Sequence, residues 1–196
     1  MCTGNICRSA YAEHAVRGRL ERSVPGRLEL ASMGTQPNQA LRVPQELVEL
    51  AEGRGVRGLD GHVPQRLMPG AVLGADLVLT ATTAHSERVL SDAAASHRRT
   101  FTMLEFGTLV RLLDERTDGM WLEPGVGVRA LAESAGRQRM LARAELSSLE
   151  LTDPFRKGAQ EYERMVRALE PALDATVSAL ERAVSGSGSG LPAGRP

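Results

Sequence analysis

The eight residues Cys2–Ser9, CTGNICRS, stand at the very front of the chain and lead without a break into a helical pattern. A glycine- and asparagine-bearing loop that opens a helix constrains the fold more than any other stretch here. In parallel α/β sheets, ligand-binding loops lie beyond the carboxyl ends of the strands, where the chain turns into a helix. The remaining periodicities agree with that setting. Small and apolar residues at 12, 15, 16 and 20 predict a helix over 9–24, with Ser9 as its N-cap. RLELAS (27–32) predicts a strand, and PQELVELAEG (44–53) a helix bounded by Pro44 and Gly53. DLVLTA (76–81) reads as a doubly buried strand, followed by a helix over 83–95 and a strand over 99–103. Helices follow over 104–116 and 127–145, then an irregular stretch over 146–155. A last helix over 158–184 should be kinked or divided by Pro171. Alternating strands and helices imply a parallel sheet between helical layers. Residues 1–184 form one domain on this reading, and 185–196 a flexible Gly/Ser/Pro tail.

Composition excludes several classes of function. Twenty-four basic residues balance twenty-four acidic ones, which argues against a nucleic-acid or anionic-membrane partner. The most apolar run, AVLGADLVLTATTA, is too short to span a bilayer and is interrupted by Asp76. No secretory pattern opens the chain. Two cysteines, Cys2 and Cys7, make no disulfide framework, so the expected location is the cytoplasm. His14, His62, His85 and His97 show no metal-ligand spacing; neither a metal nor another cofactor is expected.

The loop's residue types suit an anion. Gly4 and Asn5 tolerate a left-handed backbone, so the loop can turn successive N–H groups inward as a nest. The following helix aims its N-terminus at the same spot, and Arg8 can grip two phosphate oxygens. Those donors also favour the thiolate of Cys2. A thiolate beneath a held phosphate points to phosphoryl transfer through a cysteinyl-phosphate. The Lys-Ser/Thr pair of a Walker loop is absent. On Cys-x5-Arg spacing alone, a structural turn with two incidental cysteines stands as the alternative.

The whole string CTGNICRS resembles the phosphate-binding loop of the low-molecular-weight protein tyrosine phosphatases. The resemblance implies that family's parallel-sheet, three-layer α/β fold. It makes Cys2 the nucleophile and Arg8 the phosphate ligand, with Thr3, Gly4, Asn5, Ile6, Cys7 and Ser9 completing the phosphate cradle. The family's general acid lies in an Asp-Pro-aromatic motif, matched by Asp153, Pro154 and Phe155, with Phe155 as a wall for the substrate ring. SMGT (32–35), HVPQRL (62–67) and ADLVLTATTAHSERV resemble further family stretches. By position, Asn5 would be held in its strained conformation by Ser9, Ser32 and His62; a plain surface or core histidine is the alternative for His62. Cys7 is either a reversible disulfide partner that shields Cys2 from oxidation or a small buried apolar residue. The implied partner is a phosphotyrosine-bearing protein, met by a monomer.

Several positions depart from the family's pattern. Ala10 stands where a proline is usual, Ala81-Thr82 where Met-Asp is common, and Arg156 where a second aromatic often follows. TDGMWLEPG has no counterpart, leaving Trp121 as either core filling or a substrate lid. The family's loop follows an interior strand, whereas this sequence begins where that strand should end. The expectation is a true start upstream of Met1, or else a degraded, inactive relative. The rival activity is an arsenate reductase of the same fold using an external thiol, since no further cysteine is present for a protein relay. Phosphoarginine-directed relatives typically carry Thr where Ile6 stands, so tyrosine is favoured.

Overall fold

A computed structural model of the chain describes residues 1–146 and 148–186. The expected tail therefore lies outside the described residues from 187 to 196, as does residue 147 of the irregular stretch. The elements run α1 (Arg8–Ser23), α2 (Gln45–Gly53), α3 (Pro69–Gly74), β1 (Val78–Thr80) and α4 (Thr83–Asp92). A 3-10 turn (Ala94–Arg99) leads into β2 (Thr100–Thr102), then α5 (Met103–Thr117), α6 (Val128–Arg137), α7 (Arg139–Glu145) and α8 (Ala159–Val184). No helix among the described residues is long and apolar enough to cross a membrane.

β1 and β2 pair in parallel, Leu79 opposite Phe101. Single rungs continue this ladder outward. The Met1 amino group donates to the Leu79 carbonyl at 2.7 Å, and Ala81 N–H donates to the Met1 carbonyl at 2.8 Å. On its other side Cys2 bridges Gly34 in parallel, and Gly34 in turn bridges Arg66. Met1 and Cys2 thus fill the slot between Gly34 and β1. The predicted strand over 27–32 does not form. A strand needs a ladder, and between α1 and α2 the chain finds one only at Gly34 and its neighbours, past the predicted stretch.

The helices close over this narrow sheet. α8 packs along α5 and α1, burying Tyr162, Val166, Leu169, Leu173, Val177 and Leu180 at helical spacing. Pro171 lies inside α8 without dividing it. That apolar stripe is buried along the whole helix, so tertiary packing outweighs one missing hydrogen bond. Gly107 makes the approach of α5 possible, because a Cβ there would lie 2.4 Å from the Ala172 Cα. The helix expected over 127–145 breaks at Gln138 into α6 and α7. At Gly136, the end of α6 meets the 3-10 turn, leaving no room for a Cβ beside the Arg98 carbonyl. The short α3 has only Pro69 at its start as a sequence signal.

Candidate active site

Cys2 is held by its backbone before its side chain is considered. Its N–H donates to the Met33 carbonyl at 3.3 Å, and its carbonyl accepts from Thr35 N–H at 3.0 Å. Beyond it the loop curls against Gly34, where a Cβ would stand 2.5 Å from the Thr3 carbonyl oxygen, so only glycine fits. Of the two residues expected to adopt a left-handed backbone, Asn5 alone does, at φ 54°. Its side chain secures that conformation. Nδ2 donates to Ser9 Oγ at 2.9 Å and to Ser32 Oγ at 2.7 Å, while Oδ1 accepts from Gln65 N–H at 2.8 Å. The Asn5 carbonyl accepts from His62 Nε2 at 3.0 Å, and His62 Nδ1 lies 3.3 Å from His14 Nε2. The four residues expected to support the loop, Asn5, Ser9, Ser32 and His62, therefore meet in one buried cluster.

The support extends one layer further than the sequence revealed. Burial pushes the Glu13 carboxyl up, but hydrogen bonds from Ser32 and Arg17 outweigh it and hold Glu13 below its ordinary value. Burial pushes His62 down, against the pull of Glu13. Ser9 is not the N-cap. α1 begins at Arg8 with Cys7 in the cap position and no side-chain cap, while the Ser9 hydroxyl serves Asn5 and lies 3.0 Å from Cys2 Sγ. That leaves the first turn of a 16-residue helix uncapped and free of acidic residues. Asn5 N–H donates to Cys2 Sγ at 3.3 Å. Among the described residues, the amides of Thr3, Gly4, Ile6 and Cys7 have no intramolecular acceptor. Unspent amides beside a helix N-terminus form an anion nest.

Arg8 reaches across this nest. Nη2 pairs with Asp153 Oδ2 at 2.8 Å, and Nη1 donates to the Leu151 carbonyl at 3.2 Å. Nε is buried without a partner among the described residues. The pair is asymmetric, since the Arg8 side chain is 5% exposed and that of Asp153 48%. Leu151 N–H donates to the Ala81 carbonyl at 2.9 Å, tying the irregular stretch that carries Asp153 to the end of β1. Phe155 N–H donates to Asp153 Oδ1 at 3.3 Å.

Cys2, Thr3, Ile6, Arg8, Asp153 and Phe155 line one cleft of about 190 Å³, together with Gln36, Asn38 and Leu41. A larger groove of about 390 Å³ lies between α1 and α8 around Arg19 and Asp174, and no cysteine or histidine lines it. Arg156 adopts a left-handed backbone and lays its guanidinium 5.0 Å from the Phe155 ring centroid. Cys7 is buried; burial first, and then the charge on Cys2, push its thiol up to about 12. Both cysteines are free. Trp121 is not at the cleft: Nε1 donates to Asp114 Oδ1 at 2.6 Å and the ring packs on the core, so the lid reading is discarded. Among the described residues no three His, Cys, Asp or Glu side chains gather as a metal site.

His85 was missed as a site residue. It sits in the first turn of α4, buried, with Nε2 2.9 Å from Thr3 Oγ1 and Nδ1 2.6 Å from Thr82 Oγ1. Burial, then the Arg8 charge, push it down to about 4. Thr82 as helix cap was the one available sequence signal, and it does not show which way the imidazole turns.

The sequence profile of the low molecular weight phosphotyrosine protein phosphatases matches residues 1–114. The low molecular weight protein-tyrosine-phosphatase Etp of Escherichia coli is 27% identical over 182 residues, 93% of each chain. Among solved structures, the tyrosine phosphatase Wzb of Escherichia coli K30 is similar at TM-score 0.61 and 21% identity, covering 91% of this chain and 94% of its own. The YwlE arginine phosphatase of Geobacillus stearothermophilus is similar at TM-score 0.63 and 20% identity, covering 92% of this chain and 89% of its own. At those identities the two structures speak for the fold, whereas the profile covers more than half the sequence. By the profile match and the fold together, the chain belongs to the low molecular weight phosphotyrosine protein phosphatases, a family of enzymes.

Proposed function

We propose that the protein hydrolyses phosphotyrosine through a cysteinyl-phosphate, with Cys2 as nucleophile, Arg8 as phosphate ligand and Asp153 as acid and then base. The observation that carries this reading is the meeting of Cys2, Arg8 and Asp153 in one cleft, with the buried Nε of Arg8 still unspent. An incoming phosphoryl group takes the loop amides, the unpaired Nε of Arg8 and its Nη2, displacing the Asp153 carboxylate from Nη2. Asn5 Nδ2 donates to Ser9 Oγ, so the Ser9 proton is free to point at Cys2 Sγ and support its thiolate. Sγ attacks phosphorus, the bond to the tyrosyl oxygen breaks, and Asp153 delivers its proton to that oxygen. Asp153 then takes a proton from water as the water's oxygen attacks phosphorus, releasing phosphate and the Cys2 thiolate.

Release from Arg8 is what readies the acid. Arg8 Nη2 holds the Asp153 carboxyl at 2.8 Å, and phosphate taking that nitrogen frees the carboxyl to meet the leaving oxygen. The apolar Ile6 and the Phe155 ring support an aryl group over a guanidinium one. Residues 1–184 carry this activity as a monomer acting on phosphotyrosine-bearing proteins. Two free cysteines suit a reducing compartment such as the cytoplasm. Under oxidant, the sulfenic acid of Cys2 condenses with the Cys7 thiol to a disulfide, losing water.

The test is hydrolysis of 4-nitrophenyl phosphate, a phosphotyrosine peptide and a phosphoarginine peptide in chelator, with Cys2→Ser as control. The expected result is turnover of both aryl phosphates, lost in the variant. Turnover that persists in Cys2→Ser, or confined to phosphoarginine, would overturn it.

A further inference from the structure

The hydrogen bonds around His85 have a direction, and it ends in the cleft. Thr82 Oγ1 caps α4 by accepting from His85 N–H at 3.3 Å. The same oxygen lies 2.6 Å from His85 Nδ1, and Nε2 lies 2.9 Å from Thr3 Oγ1. The neutral imidazole carries one ring proton, so only two arrangements are open. In the first, Nδ1–H donates to Thr82 and the Thr3 hydroxyl donates to Nε2. Thr82 Oγ1 then accepts twice, and its own proton has no acceptor among the described residues. In the second, the Thr82 hydroxyl donates to Nδ1 and Nε2–H donates to Thr3 Oγ1. Every donor on the helix side is then used, and the proton left over is that of the Thr3 hydroxyl, on a residue lining the cleft beside Cys2. An anion in the cleft supplies the one acceptor the second arrangement lacks.

We infer that the Thr3 hydroxyl is a hydrogen-bond donor to the phosphoryl group bound over Cys2, and that His85, oriented by Thr82, is the positioning residue that aims it. This rests on the phosphatase reading and deepens it. The loop amides were already available to phosphate; the side chain of Thr3 adds a donor whose direction is set from outside the loop, by the first turn of α4. Burial serves the arrangement, because at 8% exposure His85 is shielded from water that would compete for its ring nitrogens. The arrangement also gives α4 a second attachment to the site. Glu150 accepts from Thr83 N–H at 2.9 Å, so the same turn that aims Thr3 is tied to the stretch bearing Asp153.

The experiment measures inorganic phosphate binding by calorimetry and the kinetics of 4-nitrophenyl phosphate for the parent, Thr3→Val, Thr3→Ser, His85→Phe and Thr3→Val/His85→Phe. Thr3→Val keeps the shape and removes the donor, and should weaken phosphate binding by about ten- to a hundredfold, the weight of one hydrogen bond to a charged group. Thr3→Ser restores the donor and should return binding to within about threefold of the parent. Loss of phosphate binding equal in the double variant and in Thr3→Val marks the two residues as one device. Thr3→Val binding phosphate as the parent does would overturn the inference. So would losses that multiply in the double variant, or Thr3→Ser behaving as Thr3→Val. A parent that binds phosphate while Thr3→Val is unchanged refutes this inference alone. A parent that neither binds nor hydrolyses refutes the phosphatase reading and this inference with it.

Discussion

Replacing Asn5 separates what its side chain holds from what its backbone demands. In the folded loop its amide makes three hydrogen bonds, to Ser9, Ser32 and the Gln65 N–H, all within 2.9 Å, the first two buried and the third partly so. Each is worth about 1 kcal/mol net, and Ala at this position leaves the Gln65 amide unpaired as well. The left-handed φ of 54° costs an alanine a further ~1 kcal/mol or more. Asn5→Ala should therefore destabilise the fold by about 4 kcal/mol, a large share of the ~5–15 kcal/mol typical of a domain. Asn5→Gly loses the same hydrogen bonds but adopts the backbone freely, so it should be the milder change by about 1 kcal/mol. Urea unfolding of the three proteins at pH 7 measures the differences, and phosphate binding in the folded fraction reports the loop. A loss below about 1 kcal/mol in Asn5→Ala, or a glycine variant less stable than the alanine one, would refute the reasoning.

Asp153→Asn should lower kcat for phenyl phosphate by about 10²–10⁴ and for good leaving groups by less, because only a basic leaving oxygen needs the proton; equal losses across leaving groups would exclude Asp153 as the acid. His85 is held down to about 4 in the fold against 6.5 unfolded. Between those values the unfolded chain binds the extra proton and the folded one does not, so stability falls as pH drops, by about 2 kcal/mol from pH 7 to pH 5, and that slope should be missing in His85→Phe. Cys7→Ser should make peroxide inactivation irreversible by dithiothreitol where the parent recovers; full recovery of the variant would remove Cys7 from the redox role.

The opening loop and α1 were legible because their chemistry is local. Turn residues, a thiol, an arginine and a helical spacing stand within a dozen residues. Asp153 was legible only by resemblance, for Asp-Pro is an ordinary turn signal and nothing in the sequence brings it to Arg8 across 145 positions. The rest failed where tertiary neighbours decide. RLELAS has the alternation of a strand, but no ladder forms beside it. Pro171 reads as a break, but a helix buried along its length tolerates it. His85 has no sequence signature, since its role follows from the turn of its imidazole toward Thr3.

Ala81 occupies a position with a consequence for motion. Its N–H bonds the carbonyl of Met1, one residue before Cys2, and its C=O takes the N–H of Leu151, two residues before Asp153. Besides their other ties, both segments of the proposed site are thus joined through one residue at the end of β1. Small motions of β1 are therefore passed to Cys2 and Asp153 together, and loss of the Ala81 bonds leaves the Arg8 contacts as the direct tie between the two segments. In native-state hydrogen exchange, the Ala81 and Leu151 amides should therefore open as one unit and share a single opening rate.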